Sequence, residues 1–237
     1  MRIVVIGGGA AGMLAAIVAA RNGAQVAVVE QLSRVGKKLL ATGNGRCNLT
    51  NMNMDINSFH GSNAVFAHAA LKQFDEKAAM DFFEDLGICC VEEDGGKVFP
   101  ASGQASSVLD VLRYEMERLG VQEICDARVD SIAHGKKGFK LQLKDRDFIT
   151  GDKIILASGG KANPSLGSNG SGYSLAKAFG HKIVEPHPAL VKLKLEAPFL
   201  KALSGAKIVG EAAVELGNKT LRRDRGEILF TDYGISG

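Results

Sequence analysis

Tryptophan is absent from the 237-residue sequence, which also has only 3 tyrosines, 5 prolines and 4 cysteines. The thiols at Cys47, Cys89, Cys90 and Cys125 form neither a dense disulfide framework nor a C-x-x-C pair. That spacing excludes a small secreted disulfide scaffold, argues against structural zinc, and sets the expectation of a reducing cytoplasm. No block of five or six like charges occurs, and 29 Lys+Arg against 26 Asp+Glu leave a net charge of +3. A disordered tail and a nucleic-acid-binding arm are both disfavoured by that balance. One uncharged stretch, Ile3 to Ala20 after Arg2, has the outline of a signal peptide or a membrane span, but the glycines inside it argue against both. Glycine is what the sequence has in excess: 29 residues, about 12% against an average of about 7%. Much of it is clustered, as it is where backbone approaches a ligand or turns tightly. The length corresponds to about 1.6 domains at roughly 150 residues each.

Ile3-Val4-Val5-Ile6 is a short β-branched run suited to a buried parallel strand, and Gly7-Gly8-Gly9-Ala10-Ala11-Gly12 follows it directly. Small and aliphatic residues then predict a helix from Ala11 to Asn22, stopped at Gly23, and Gln25 to Glu30 reads as a second buried strand. In this β-α-β unit Gly7, Gly9 and Gly12 satisfy G-x-G-x-x-G. The first glycine permits the turn, the second admits a pyrophosphate to the backbone, and the third lets helix and strand pack closely. N–H groups at the helix start, with Ala10 and Ala11, then face the phosphates. Glu30, eighteen residues after Gly12, stands where a carboxylate accepts from a ribose hydroxyl and disfavours an adenosine 2′-phosphate. The motif leaves FAD and NAD both open.

A second cluster follows. Gly36-Lys37-Lys38 and Thr42-Gly43-Asn44-Gly45-Arg46-Cys47-Asn48-Leu49-Thr50-Asn51 form a polar, donor-rich loop where a plain NAD domain would run into a helix and third strand. Lys37, Lys38 and Arg46 suit a pyrophosphate, and Asn44, Asn48 and the loop N–H groups suit the edges of a flavin ring. The alternative is a solvated Asn-Gly turn. On these residues the chain resembles a bacterial family of FAD- and NAD(P)-dependent oxidoreductases, with members known as 3-dehydro-bile-acid reductases and aminoacetone oxidases. The resemblance implies a glutathione-reductase-type FAD domain, with Glu30 on the adenosine ribose and Asn44, Gly45, Arg46, Cys47 and Asn48 near the isoalloxazine. It also sets the disulfide-reductase branch aside, because Cys47 has no paired redox cysteine.

Further along, Ser62–Phe74 and Asp75–Leu86 are expected as core helices and Ile88 to Pro100 as a hairpin carrying Cys89 and Cys90 as structural thiols. Ser106–Leu119 is expected as an amphipathic helix. Residues 124–132, 139–143 and 147–151 have the rhythm of an antiparallel meander returning through Lys153–Ala157 into Ser158-Gly159-Gly160. That order is similar to the flavoprotein pattern, which implies Gly159 against the cofactor and the Val129 backbone at the adenine. No second G-x-G-x-x-G follows a strand, so a dedicated nicotinamide domain is not supported. Gly170-Ser171-Gly172 departs from the family's usual Gly-Asp-Gly, so no carboxylate role is carried to it. His60, His68, His181 and His187 show no partner and read as structural, and Arg222, Arg223 and Arg225 read as a solvated hairpin turn.

The expectation is an α/β fold: a glutathione-reductase-type FAD/NAD(P)-binding Rossmann-like domain over 1–188, without its return segment, and the start of an inserted β-rich domain over 189–237. The chain is thus expected to match about the N-terminal half of the family. The expected function is a cytoplasmic FAD-dependent oxidoreductase passing hydride through flavin N5, with NAD(P)H as co-substrate and an activated alkene as small-molecule substrate. No nucleic acid, membrane or metal is expected. A flavin amine oxidase, an NAD-binding dehydrogenase and a non-catalytic FAD-binding fragment are the alternatives. No catalytic acid or oligomeric state can be named.

Overall fold

The β-branched run after Met1 forms β1 (Arg2–Ile6), the glycine turn opens α1 (Ala10–Arg21), and β2 (Gln25–Val29) follows. In the computed structural model, which describes residues 1–189 and 191–236, the chain continues through α2 (Lys37–Leu40), β3 (Thr50–Asn51), α3 (His68–Gln73) and α4 (Glu76–Asp85). The hairpin β4 (Cys90–Glu93) and β5 (Lys97–Pro100) leads to α5 (Ala105–Arg118) and β6 (Gln122–Ile124). Then come β7 (Val129–Gly135), β8 (Gly138–Leu143), β9 (Phe148–Gly151), β10 (Lys153–Leu156) and α6 (Ser171–Ala178). This unit ends at Val184, and a second spans Glu185–Gly237.

A parallel sheet in the order β10-β1-β2-β6 organises the first unit. Strand β1 lies between two parallel neighbours, which is why its sequence is continuously apolar rather than alternating. Its side chains still divide by face, as pleating requires. Val5 joins a core with Met13, Ala16 and Ile17 of α1 and Val108, Leu112 and Met116 of α5. Val4 and Ile6 point the other way, to Val129, Leu141 and Leu143 of the β7-β8-β9 meander and Leu175 of α6. The result is three layers, with α1 and α5 on one side of the sheet and the meander, joined by α6, on the other.

One carboxylate is buried in the helical layer. Glu115, 7% exposed, accepts from Arg21 at 2.8 Å and from Arg118 at 2.6 and 2.9 Å, which ties α1 to α5. The Arg118 hydrogen bonds, opposed by burial and reinforced by Arg21, hold its carboxyl down at about 2. A depressed carboxylate stabilises the fold above its ordinary value of 4.5 and loses that contribution as pH falls toward its folded value. Glu115→Gln is therefore expected to cost about 2 kcal/mol near neutral pH. Thermal melts of variant and wild type should converge as the pH drops below about 4; a gap that stays constant would show that charge is not the cause.

Two local expectations are corrected in the first unit. The segment 62–74 is not a core helix: a 3-10 turn over Ala64–Ala67 precedes the short α3, nothing in either is buried, and Phe66 is 83% exposed. Phe66, Ala70 and Phe74 do recur at helical spacing, but no neighbouring element among the described residues covers that stripe, and apolar spacing alone does not supply a partner to bury it. In contrast, α4 is capped by Asp75, whose carboxylate accepts from Ala78 N at 2.8 Å, and buries Ala79, Phe82 and Phe83. The meander begins at Val129 rather than at Ile124, because Gln122–Ile124 pairs with β2 in the parallel sheet. The chain leaves that sheet through a left-handed residue, Asp126. All four cysteines are free thiols.

The second unit contains β11 (Leu193–Lys194), α7 (Leu200–Leu203), β12 (Lys207–Leu216), β13 (Lys219–Thr231) and β14 (Gly234–Ser236), in an antiparallel sheet ordered β11-β14-β13-β12. Arg222, Arg223 and Arg225 lie within β13, not in a turn. This strand is exposed on both faces over most of its length, so its sequence has no apolar alternation to mark it as a strand. Leu190 and Gly237, both inside the expected second domain, lie outside the described residues.

Candidate functional site

At the carboxyl ends of β1, β2 and β10 lies a cavity of about 360 Å3, lined entirely from the first unit. This is where ligands settle on open parallel sheets. Gly7 turns the chain away from β1 with φ +106°, and a Cβ there would fall 2.5 Å from the Ala157 carbonyl oxygen. At Gly12 a Cβ would come 1.8 Å from the Gly7 carbonyl oxygen, so turn and helix touch through bare backbone. Gly9 has open space where a Cβ would stand. It is the N-cap of α1, without a side-chain cap and without an acidic residue in the first turn. The leading N–H groups of α1 are thus left for a ligand, and the helix dipole favours an anionic one.

The end of β2 closes the opposite side. Glu30 is 8% exposed; its carboxylate accepts from Gly8 N at 2.7 Å and from Leu32 N at 2.8 Å. A carboxylate offers about four lone-pair positions, so acceptor capacity remains for a ligand hydroxyl. Arg34, Lys37, Lys38 and Arg128 supply positive charge around the cavity, with Glu30 as the acidic lining residue. Donors from a helix start and from flanking lysines suit a pyrophosphate.

Most of the residues singled out in the sequence converge here. Gly7, Gly9, Ala10 and Ala11 line the cavity from the glycine turn and helix start, Glu30 from the end of β2, Lys38 from α2, and Cys47 and Asn48 from the segment after it. Val129 and Gly159 line the remaining wall, while Gly12 sits behind the turn in contact with Gly7. Asn44, Gly45 and Arg46 are not among the lining residues. Arg46 turns to the carboxylate of Glu93, with one contact of 3.0 Å, and lies 4.2 Å from the Phe99 ring centroid. The loop spacing gave no sign of this partner, which lies 47 residues away.

Cys47 is buried at the cavity in a left-handed conformation, φ +61°. Burial pushes its thiol up, against a hydrogen bond with Thr42 that pulls it down. The neutral thiol packs as an apolar group rather than acting as a nucleophile. Residues that sequence reasoning passed over also shape the site. Gly8 is buried, with Val35 Cγ1 standing 2.5 Å from where its Cβ would be. Gln31, Leu166, Gly167, Ser168 and Ser171 line the cavity from the two segments that close it. Among the described residues no group of His, Cys, Asp and Glu is placed to hold a metal ion, and no helix is long and apolar enough to cross a membrane.

Comparison with known proteins gives a consistent picture. A family model described as HI0933-like protein Rossmann domain matches residues 1–235. The chain is 46% identical, over its full length, to a 3-dehydro-bile acid delta(4,6)-reductase of Clostridium scindens. It is 31% identical over 99% of its length to a ribosomal RNA dihydrouridine synthase of Escherichia coli. It spans 58% of the length of each of these relatives. Among solved structures, the open conformation of a flavocytochrome c3 fumarate reductase shares the fold at TM-score 0.57 and 18% identity, over 88% of this chain and 46% of that one.

Proposed function

The chain belongs to the HI0933-like Rossmann-domain family, and on that premise we propose that it binds FAD and works as an FAD-dependent oxidoreductase reducing an activated alkene at the expense of NAD(P)H. The observation that carries this reading is the cavity itself, lined by an uncapped helix start, by Lys37 and Lys38, and by Glu30 at the end of β2. The donor set fits a dinucleotide. Gly9, Ala10 and Ala11 present backbone N–H groups to the pyrophosphate, Lys38 adds charge, and Glu30 accepts from the adenosine ribose. Cys47 and Asn48 line the wall proposed to carry the isoalloxazine ring, and Val129 the wall proposed for the adenine. Bound there, the flavin would supply hydride acceptance and donation at N5, while the chain orients it and keeps water away.

Alkene reduction is supported by the names of the two relatives. One is a delta(4,6)-reductase and the other makes dihydrouridine, a nucleoside whose base carries two more hydrogens on its ring than that of uridine. The nearer of the two acts on a bile acid, which favours a small enone over an RNA substrate here. The free cysteines fit a reducing compartment, the cytoplasm.

The test is an absorption spectrum of the purified chain after FAD reconstitution and desalting, followed by anaerobic NADH or NADPH. Flavin bands are expected to remain and then bleach, and a steroid enone added afterwards should restore them. A folded chain that stays colourless overturns the FAD reading and moves weight to an NAD-binding dehydrogenase. A bound flavin that neither nucleotide bleaches, but an amine does, replaces the reductase by an oxidase. Reoxidation by a uridine-containing ribosomal RNA and not by the enone would transfer the substrate class to RNA.

A further inference from the structure

The segment 158–170, which joins β10 to α6, is fastened across the cavity at two points by side chains from the opposite wall. Gln31 Nε2 donates to the Gly167 carbonyl oxygen at 2.6 Å, and Gln31 Oε1 accepts from Asn169 Nδ2 at 3.3 Å. Lys38 Nζ donates to the Ala162 carbonyl oxygen at 2.9 Å and to Ser168 Oγ at 3.0 Å. The loop also braces itself, with Leu166 N donating to Asn163 O, Gly167 N to Pro164 O and Gly170 N to Gly160 O. It is therefore a braced lobe rather than a slack chain. Ser168, 6% exposed, is carried into the cavity wall together with Leu166 and Gly167.

We propose that Gln31 is a positioning residue that locks this lobe over the bound cofactor and so sets how long the cofactor stays; the inference rests on the FAD reading of the same site. A primary amide both donates and accepts from one side chain, which is what its two partners on the lobe require. Glutamate at this position loses the donor and sets a charged oxygen against the Gly167 carbonyl, and methionine keeps the length while losing both bonds. Lys38 is the second fastening, but it is also a cation lining the cavity, so its removal would mix locking with charge. Gln31 separates the two.

The experiment compares wild type with Gln31→Met and Gln31→Glu in two ways. In the reconstituted chain, FAD release is followed by recovery of flavin fluorescence. Without flavin, trypsin cleavage after Lys161, which stands on the lobe, is timed against cleavage elsewhere in the chain. Release is expected to be about tenfold faster in Gln31→Met, with association little changed, and tryptic cleavage at Lys161 is expected to accelerate selectively. Gln31→Glu should release at least as fast. An unchanged rate at Lys161 overturns the locking role whether or not flavin binds. Faster cleavage with unchanged release overturns its effect on residence. A wild-type chain that retains no FAD defeats the cofactor reading alone, since the protease comparison still reports the lock.

Discussion

Gly12→Ala is expected to weaken FAD binding by more than about 100-fold, the equivalent of roughly 3 kcal/mol. The added methyl would stand 1.8 Å from the Gly7 carbonyl oxygen, and that neighbour is backbone with no rotamer to change. Either α1 backs away from the turn or the turn leaves its register over β10, and both move the leading N–H groups from the phosphate position. Gly9→Ala is the matched control. Its Cβ meets nothing within 4 Å, so its fold should melt like wild type and any loss of affinity would come from the methyl meeting the ligand. Flavin fluorescence titration beside a melting curve without flavin separates the two variants. Gly12→Ala affinity within about threefold of wild type would mean that the turn tolerates displacement and that close packing is not what forms the site.

Glu30→Gln is expected to destabilise the chain even without a ligand, by about 2 kcal/mol. The carboxylate accepts from Gly8 N and Leu32 N at once. A carboxamide has a single acceptor oxygen and must turn its NH2 toward one of those N–H donors, so one of the two bonds is lost and that donor faces another donor. In a unit of this size the melting temperature should fall by roughly 4–8 °C, and FAD affinity should fall with it. An unchanged melt combined with lost affinity would assign Glu30 to the ligand alone and remove its part in shaping the turn.

Legibility from sequence varied with the distance over which each residue acts. The β-α-β unit was readable because each of its signals is local: a β-branched run, a glycine turn, a small-residue helix and an acid at the next strand end. Glu30 was marked for a ribose, yet its bonds to Gly8 and Leu32 also make it a structural fastener, which spacing does not reveal. Arg46 was read as a loop cation suited to a pyrophosphate; its pairing with Glu93 on β4 is a contact that loop spacing does not reveal. In the lobe at 158–170 only Gly159 was assigned to the cofactor, since the rest contributes through backbone and small polar groups and its fastenings lie 124 to 138 residues away. The strand 122–124 ran together with the meander because β-propensity does not say which sheet will accept a strand. The exposed hairpin β12-β13 was half-missed because neither face of it is buried.

The division of β1 between two cores has a geometric consequence for the cavity. Val5 is indexed by the helical layer, Val4 and Ile6 by the meander layer, and Gly7 is the next residue out. Each position along a strand advances about 3.3 Å and reverses the direction in which the side chain points. The two cores together therefore act as a ruler with marks on both edges, fixing where the backbone leaves the sheet and which way it faces as it does so. The glycine turn thus takes much of its bearing from three side chains, Val4, Val5 and Ile6, of which Ile6 alone also lines the cavity.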